Sequence, residues 1–296
     1  MWFWLSLVAI LFWSGSDLFS KIGSKPGDPY SHWKMVLAVG TIMGIHAGIE
    51  LLQGVPFHAA DILIYLPVSL LYISAMVLGY VGLRHVALSI STPICNSSGA
   101  VAALLCFFFL HQRMSWLQLT AVGLISAAIF TLSLIEKRQD GAQRKLEGTV
   151  PDRKYTHSFL AITLPILYCL LDGFGTFGDA IVLNRSIQEG PANVAYELTF
   201  LFMAVLSFLY LAAVKKQLIR IPEEKPKILA GLCETAGQFA YIYAMGSNAI
   251  VAAPLISSYC IFSVLWARIL LREKLTRNQY LAIFVAVAGI VILGAG

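Results

Sequence analysis

The sequence predicts an all-α integral membrane protein with ten transmembrane helices, arranged as two inverted five-helix repeats. Three observations predict it: too little charge for a water-exposed surface, ten apolar stretches of bilayer-spanning length, and a gapless likeness between the two halves. Charged residues make up 12% and apolar residues 58% of the 296, where a soluble domain carries about 25% charged residues. A chain so poor in charge cannot cover its exterior against water. The solvent of most of that exterior is hydrocarbon.

The spans follow in order, each close to the ~20 apolar residues that cross a bilayer. The first, 2–21, opens as MWFWLSLVAILFW without a basic n-region, so it reads as a transmembrane helix and not as a cleaved leader. Next come 32–53, 61–83, 87–110 (carrying Pro93) and 115–135. Gly40, Gly44 and Gly48 in the second span form a four-residue stripe suited to close helix approach. These five spans make a first repeat over residues 1–136, and a charged connection over 137–157 leads to a second repeat over 158–296. Its spans fall at 158–183, 192–214, 228–246, 248–271 and 278–295, with a second charged connection, KKQLIRIPEEKPK, at 215–227. Both charged connections are expected to be aqueous.

A shift of 161 positions lays Tyr80 on Tyr241, Pro93 on Pro254, Ser97 on Ser258, Gln118 on Gln279 and Ala127 on Ala288. Apolar helices match easily by accident, so the proline and the polar pairs carry the comparison. Five spans per repeat, an odd number, make the halves insert with opposite orientation, an arrangement whose binding sites lie at the repeat interface.

Of the 21 Lys and Arg, all but Arg113 and Arg185 fall in or beside the connections after spans 1, 3, 5, 7 and 9. The positive-inside rule makes those connections cytoplasmic and places both termini outside. Topology therefore accounts for the net charge of +5, and no nucleic-acid partner is implied. The five cysteines (Cys95, Cys106, Cys169, Cys233, Cys260) show no CxxC pairing and read as packed thiols.

The segment from Tyr241 to Gly294 resembles the closing helices of the drug/metabolite transporter (DMT) superfamily, EamA type. Pro254 early in a helix, the run Leu271-Arg272-Glu273-Lys274-Leu275-Thr276, Gln279 and Gly289 carry the resemblance. His111-Gln112-Arg113-Met114-Ser115 repeats it more weakly, with Gln112 where an acid is typical, and Trp13, Gly15 and Lys21 resemble the family's first span. The resemblance implies a ten-helix permease whose spans 1, 3, 4, 6, 8 and 9 surround a cavity and whose spans 5 and 10 are peripheral. It implies transport of small metabolites, amines or drugs, often against protons. Members usually keep both termini in the cytoplasm, whereas the basic residues here argue the reverse.

The residues singled out for chemistry are acids inside spans, because a charge at the bilayer centre costs roughly 2.5–3.5 kcal/mol on insertion scales. Asp17, Asp172, Glu197 and Glu234 are the candidates for substrate or proton coupling; their bland alternative is a position near a helix end. Glu234, Gln238 and Tyr241 share one helical face. Tyr168, Asp172, Gly175 and Asp179 make a comparable stripe in span 6, and Trp13 and Asp17 make one in span 1. Trp13, Tyr80, Tyr168 and Tyr241 offer rings to a cation, with ordinary packing as the alternative. Asn96, Ser97, Ser258 and Tyr259 follow the repeat-related prolines and are lining candidates, interhelical hydrogen bonding being equally expected.

Three matches carry no function. Gly173–Gly178 reads GFGTFG but follows no strand, so its glycines point to helix packing and not to a dinucleotide. Asn96-Ser97-Ser98 lies inside a span, and Asn184-Arg185-Ser186 matters only in a eukaryotic secretory pathway. Neither metal-ligand clusters nor a nucleophile with a paired base stand out, and no cofactor is called for. The resulting expectation is a non-enzymatic, proton-linked exporter of an amine-bearing or zwitterionic metabolite, acting as a monomer or homodimer in a bacterial inner membrane. Its partners are the substrate, protons and the lipid bilayer. An importer or facilitator of an organic cation, such as a quaternary amine, is the alternative, and a membrane-embedded enzyme stands well behind both.

Overall fold

The computed structural model describes residues 1–23, 28–85, 98–111, 113–147, 159–217, 221–270 and 275–295; the side chains of 21, 77, 79–85, 136–137, 139–147, 159–165 and 267 lie outside the description. Among the described residues there are ten α-helices and no strand. They are α1 (Trp2–Gly23), α2 (Ser31–Leu52), α3 (Ala59–His85), α4 (Ser98–Phe109), α5 (Trp116–Glu147), α6 (Phe159–Arg185), α7 (Glu189–Leu209), α8 (Lys225–Ile256), α9 (Tyr259–Leu270) and α10 (Arg277–Ala295). Eight helical segments are long and apolar enough to cross a membrane, and α4 and α9 are shorter apolar helices.

Twelve residues rise only about 18 Å, short of the ~30 Å hydrocarbon core. For the ninth span the missing length comes from α8. At Asn248 the backbone leaves helical geometry (φ −161°, ψ 77°), so the expected boundary between 228–246 and 248–271 falls on this break. The chain then runs helically over 249–256 and pauses again just beyond Pro254, before α9 begins. Proline has no N–H to donate and crowds the preceding turn, so an interruption beside it is expected. The ninth span is thus a helix broken in two. Its first-half counterpart around Pro93 and Asn96 lies outside the described residues.

The repeat has a visible physical content at the starts of α5 and α10. The Gln118 side chain accepts the Ser115 N–H at 3.0 Å, and the Ser115 hydroxyl accepts the Gln118 N–H at 3.2 Å. At α10 the Gln279 side chain accepts the Thr276 N–H at 2.9 Å, and the Thr276 hydroxyl accepts the Gln279 N–H at 3.4 Å. Each is a reciprocal capping box, and the two are 161 residues apart. The glutamines match across the halves because the same helix start is built twice.

The principal contacts follow the same exchange. α1 packs on α8 as α3 packs on α6; α4 meets α6 as α9 meets α1; α2 pairs with α7, and α5 with α10. Gly40 and Gly44 lie where α2 crosses Phe200, Leu201 and Ala204 of α7, whereas Gly48 faces open space. Only the first two glycines of the expected stripe therefore serve packing. Gly173, Gly175 and Gly178 of the GFGTFG run lie against Val101, Tyr72 and Val68, as a packing motif should. An apolar cavity of ≈ 350 Å³ opens between α5 and α10, with Ala127, Thr131, Arg138 and Leu281 in its wall.

Two connections differ from expectation. α5 continues through Glu147, so much of the charged segment after 136 is helix. Its Glu, Lys, Arg, Gln and Ala residues are strong helix formers that prolong the ladder beyond the membrane. In 215–227, Glu224 and Lys227 are buried and paired to each other. Lys34 bridges from α2, 2.7 Å from Asp28 and 3.5 Å from Glu224. Mutual neutralisation lets these charges leave water.

Candidate functional site

The acids of α1, α6 and α8 assemble into two levels between the helices. The upper level is Asp179 of α6, fully buried. Tyr65 donates to its Oδ1, while Tyr72 and Tyr241 donate to its Oδ2 at 2.6 and 2.7 Å. The hydroxyls of Tyr72 and Tyr241 lie 2.7 Å apart, and Tyr72 also reaches Thr176 at 3.2 Å. Tyr196 of α7 meets the rings of Tyr65 and Tyr72 edge-on, at 6.1 and 5.9 Å. Helices α3, α6, α7 and α8 thus converge on one carboxylate. The absence of a Cβ at Gly175 lets the Tyr72 ring lie against α6.

The lower level lies two turns away. Sixth and eighth spans cross in the same direction, and the Asp179–Tyr241 contact fixes their register. Asp172 and Glu234, each seven residues earlier, are therefore both about 10 Å nearer the other face. Each acid here has one serine beside it. Ser98 of α4 neighbours Asp172, Ser16 of α1 neighbours Glu234, and Ser263 of α9 donates to Asp17 Oδ2 at 2.8 Å. Asp172 and Glu234 are half-buried, while Asp17 is exposed although it lies deep among the helices. Such a residue faces an open cleft.

Between the levels stands Trp13. Its ring lies 5.0 Å from that of Tyr241, tilted by 34°, and 5.8 Å from that of Tyr259, edge to face. Gly237 leaves room for it on α8. The Trp13 Nε1–H and the Gln238 Nε2 donors are buried without a partner among the described residues. A buried donor with no acceptor is costly, so these two mark where a ligand's acceptor would be welcome. Chemically the site offers three carboxylates, a cluster of rings and two unused donors.

The structure brings Asp17, Asp172, Glu234, Trp13, Gln238, Tyr241 and Tyr259 together. Tyr168 lies half-buried just over one turn below Asp172 on α6, near Tyr259. Ser258 is fully buried in the gap between α8 and α9, its hydroxyl without a partner among the described residues. Tyr80 lies on α3 with its side chain outside the description, and Asn96 falls outside the described residues. Glu197 stands apart. It is fully buried at the α2–α7 contact, where His46 Nδ1 lies 2.8 Å and 3.0 Å from its two oxygens.

Sequence reasoning passed over Tyr65, Tyr72, the three serines and the partners of Glu197. It noticed Asp179 as part of a stripe without ranking it among the acids. The stripe was the signal: four polar or small residues on one face of α6 end at the most heavily hydrogen-bonded acid of the site. Nothing in the separate positions of Ser98 and Ser263 announces which acid each would meet.

Membrane-crossing helices packed around buried acids, rings and unpaired donors define a transporter of small molecules. The model of the EamA-like transporter family matches residues 1–134 and again 163–295, and the chain belongs to that family. No curated protein matches the chain. Among 28 matching solved chains, a crystal structure of a protein aligns over 99% of this chain and 96% of its own. The TM-score is 0.72 at 14% identity, a likeness of fold alone.

Proposed function

We propose that the chain is a proton-linked secondary transporter that exports an amine-bearing or zwitterionic metabolite by alternating access. Residues 1–136 and 158–296 are the two moving halves, set in a bacterial inner membrane with both termini outside. The observation that carries the reading is the lower level of the site. Asp17, Asp172 and Glu234 line an open cleft with one serine beside each, next to the Trp13–Tyr241–Tyr259 rings. An ammonium group is drawn both to carboxylates and to ring faces. The unused Trp13 and Gln238 donors suit the acceptor end of the same molecule, such as a carboxylate. A proton and an ammonium group compete for one carboxylate, so loading one releases the other.

The test is flux in reconstituted vesicles under an imposed pH gradient, on a substrate chosen by thermal shift against amino-acid and amine panels. Glu234→Gln and Asp172→Asn are expected to lose proton-driven flux by at least about tenfold, a loss of transition-state or binding energy above 1.4 kcal/mol, with melting unchanged. Full transport by both variants overturns the assignment.

The Trp13, Tyr241 and Tyr259 cluster also favours a second reading, import or facilitation of a quaternary amine. A tetraalkylammonium ion, the simplest such ligand, has no acceptor for Gln238. Gln238→Leu should weaken an amino-acid zwitterion and leave a tetraalkylammonium ion untouched, which separates the two.

A further inference from the structure

We infer that His46, Glu50, Asn193 and Glu197 form a binding site for a divalent first-row metal ion, of the zinc or manganese kind, that bridges α2 and α7. The site is distinct from the acids of the central cleft. His46 and Glu50 are one turn apart on α2, and Asn193 and Glu197 are one turn apart on α7. Two residues from each half of the chain thus face one another across the α2–α7 contact. The ligand atoms of His46, Glu50 and Glu197 all lie within 4.8 Å of one another.

The spacing fits an ion. A tetrahedral ion at about 2.0–2.1 Å from nitrogen and oxygen ligands holds them roughly 3.3–3.4 Å apart. His46 Nδ1 is 2.8 Å from Glu197 Oε1 and 3.8 Å from Glu50 Oε2, so the present distances bracket that edge. Small rotations bring all three into range.

Asn193 supplies the independent sign. It is fully buried, donates its amide N–H to Glu50 Oε2 at 2.8 Å, and leaves its Oδ1 without a partner among the described residues. The amide thus turns its N–H to the carboxylates while no ion is there; turned over about its last side-chain bond, it presents Oδ1 to the same place as a fourth ligand. Charge agrees with geometry. Two buried carboxylates and one imidazole leave a net negative charge even when the imidazole is protonated, whereas a divalent ion with neutral His46 closes the balance. The proton now shared between His46 and Glu197 leaves to water as the ion binds. One imidazole with three oxygens suits zinc or manganese better than calcium, which prefers six to eight oxygens. The 30% exposed His46 side chain is the entry edge, and Phe239 of α8 sets its ring edge-on at 5.5 Å.

Purified full-length protein, stripped with chelator, is titrated with Zn²⁺, Mn²⁺ and Mg²⁺. Bound metal is then counted by mass spectrometry after desalting. One Zn²⁺ or Mn²⁺ per chain is expected, with Mg²⁺ excluded. Affinity should fall at least about tenfold in His46→Gln and Glu197→Gln, yet persist in Asp172→Asn, which alters only the cleft. Substoichiometric metal, or equal binding by His46→Gln, overturns the site. Co²⁺ bound to the unmodified protein gives a readout that needs no variant to fold. The visible spectrum of a four- or five-coordinate nitrogen–oxygen site, bleached by Zn²⁺, supports the assignment, and the spectrum of hydrated Co²⁺ refutes it.

Discussion

Asp179 and the three acids two turns below it are the same functional group in one bundle, treated in opposite ways. A carboxylate has room for about four hydrogen bonds. Asp179 receives three phenols and is fully buried, whereas Asp17, Asp172 and Glu234 have one serine beside each and border an open cleft. Satisfied acids hold helices; under-satisfied acids wait for a ligand. Asp179 ties α3, α6 and α8 together at a fixed depth, and the lower acids keep their lone pairs for cargo.

The sharpest way to break this contrast is Asp179→Asn. The amide keeps the volume but cannot accept three phenols as well, and it brings two donors that face donors. Hydrogen bonds to a charged group contribute about 1.5–3 kcal/mol each, and breaking a buried charged network costs about 3–5 kcal/mol. Thermal melting in detergent should fall by that order. The same exchange at Asp172 should leave melting nearly unchanged. Equal losses at both positions would abolish the distinction between the two levels.

A finer cut removes the serine beside two of the lower acids, Asp172 and Asp17. Ser98→Ala and Ser263→Ala are expected to shift melting by about 1 kcal/mol or less and to alter ligand affinity more than stability. Helices α4 and α9 exchange in the repeat, as do α6 and α1, so the Ser98–Asp172 and Ser263–Asp17 contacts are the same helix pairing used twice. Similar effects on ligand affinity are expected from the two substitutions, measured by thermal shift with saturating substrate. A large effect from one and none from the other would show that the halves have diverged in their use of the site.

The fold was legible because it rests on quantities that survive in one dimension. Apolar content, span length and the repeat of Pro254, Gln118 and Gln279 are local or periodic, and each has a direct structural cause. The candidate site was legible only along single helices. Glu234, Gln238 and Tyr241 could be placed on one face, but neither the meeting of Tyr65 with Asp179, 114 residues apart, nor that of His46 with Glu197, 151 residues apart, leaves a trace in spacing. Charge was the least faithful guide. The run after 136 reads as loop and is helix through Glu147, and Lys227 reads as aqueous and is fully buried, because ion pairing and helix propensity act where hydropathy does not look.

A third kind of carboxylate completes the series, at the rim instead of in the cleft. Burial pushes the Asp28 carboxyl up, but the Lys34 ammonium at 2.7 Å, the Tyr30 N–H at 2.9 Å and the nearby charge of Lys227 together hold it below its ordinary 3.8. A group whose folded value is depressed contributes stability above its unfolded value and loses it as pH falls through the folded one. The Asp28 contribution is therefore complete at neutral pH, declines below about pH 4, and vanishes in stronger acid. The Asp28 side chain keeps 18% of its surface exposed at the edge of the bundle, where salt screens its pair with Lys34, so the effect is the smallest of the set, under about 1 kcal/mol. Asp28→Asn should melt slightly below the unmodified protein at pH 7 and converge with it as the pH is lowered past 4. A gap of constant size across that range would mean that Asp28 contributes through hydrogen bonding alone, and that the rim acid belongs with Asp179 and not with the ion pairs.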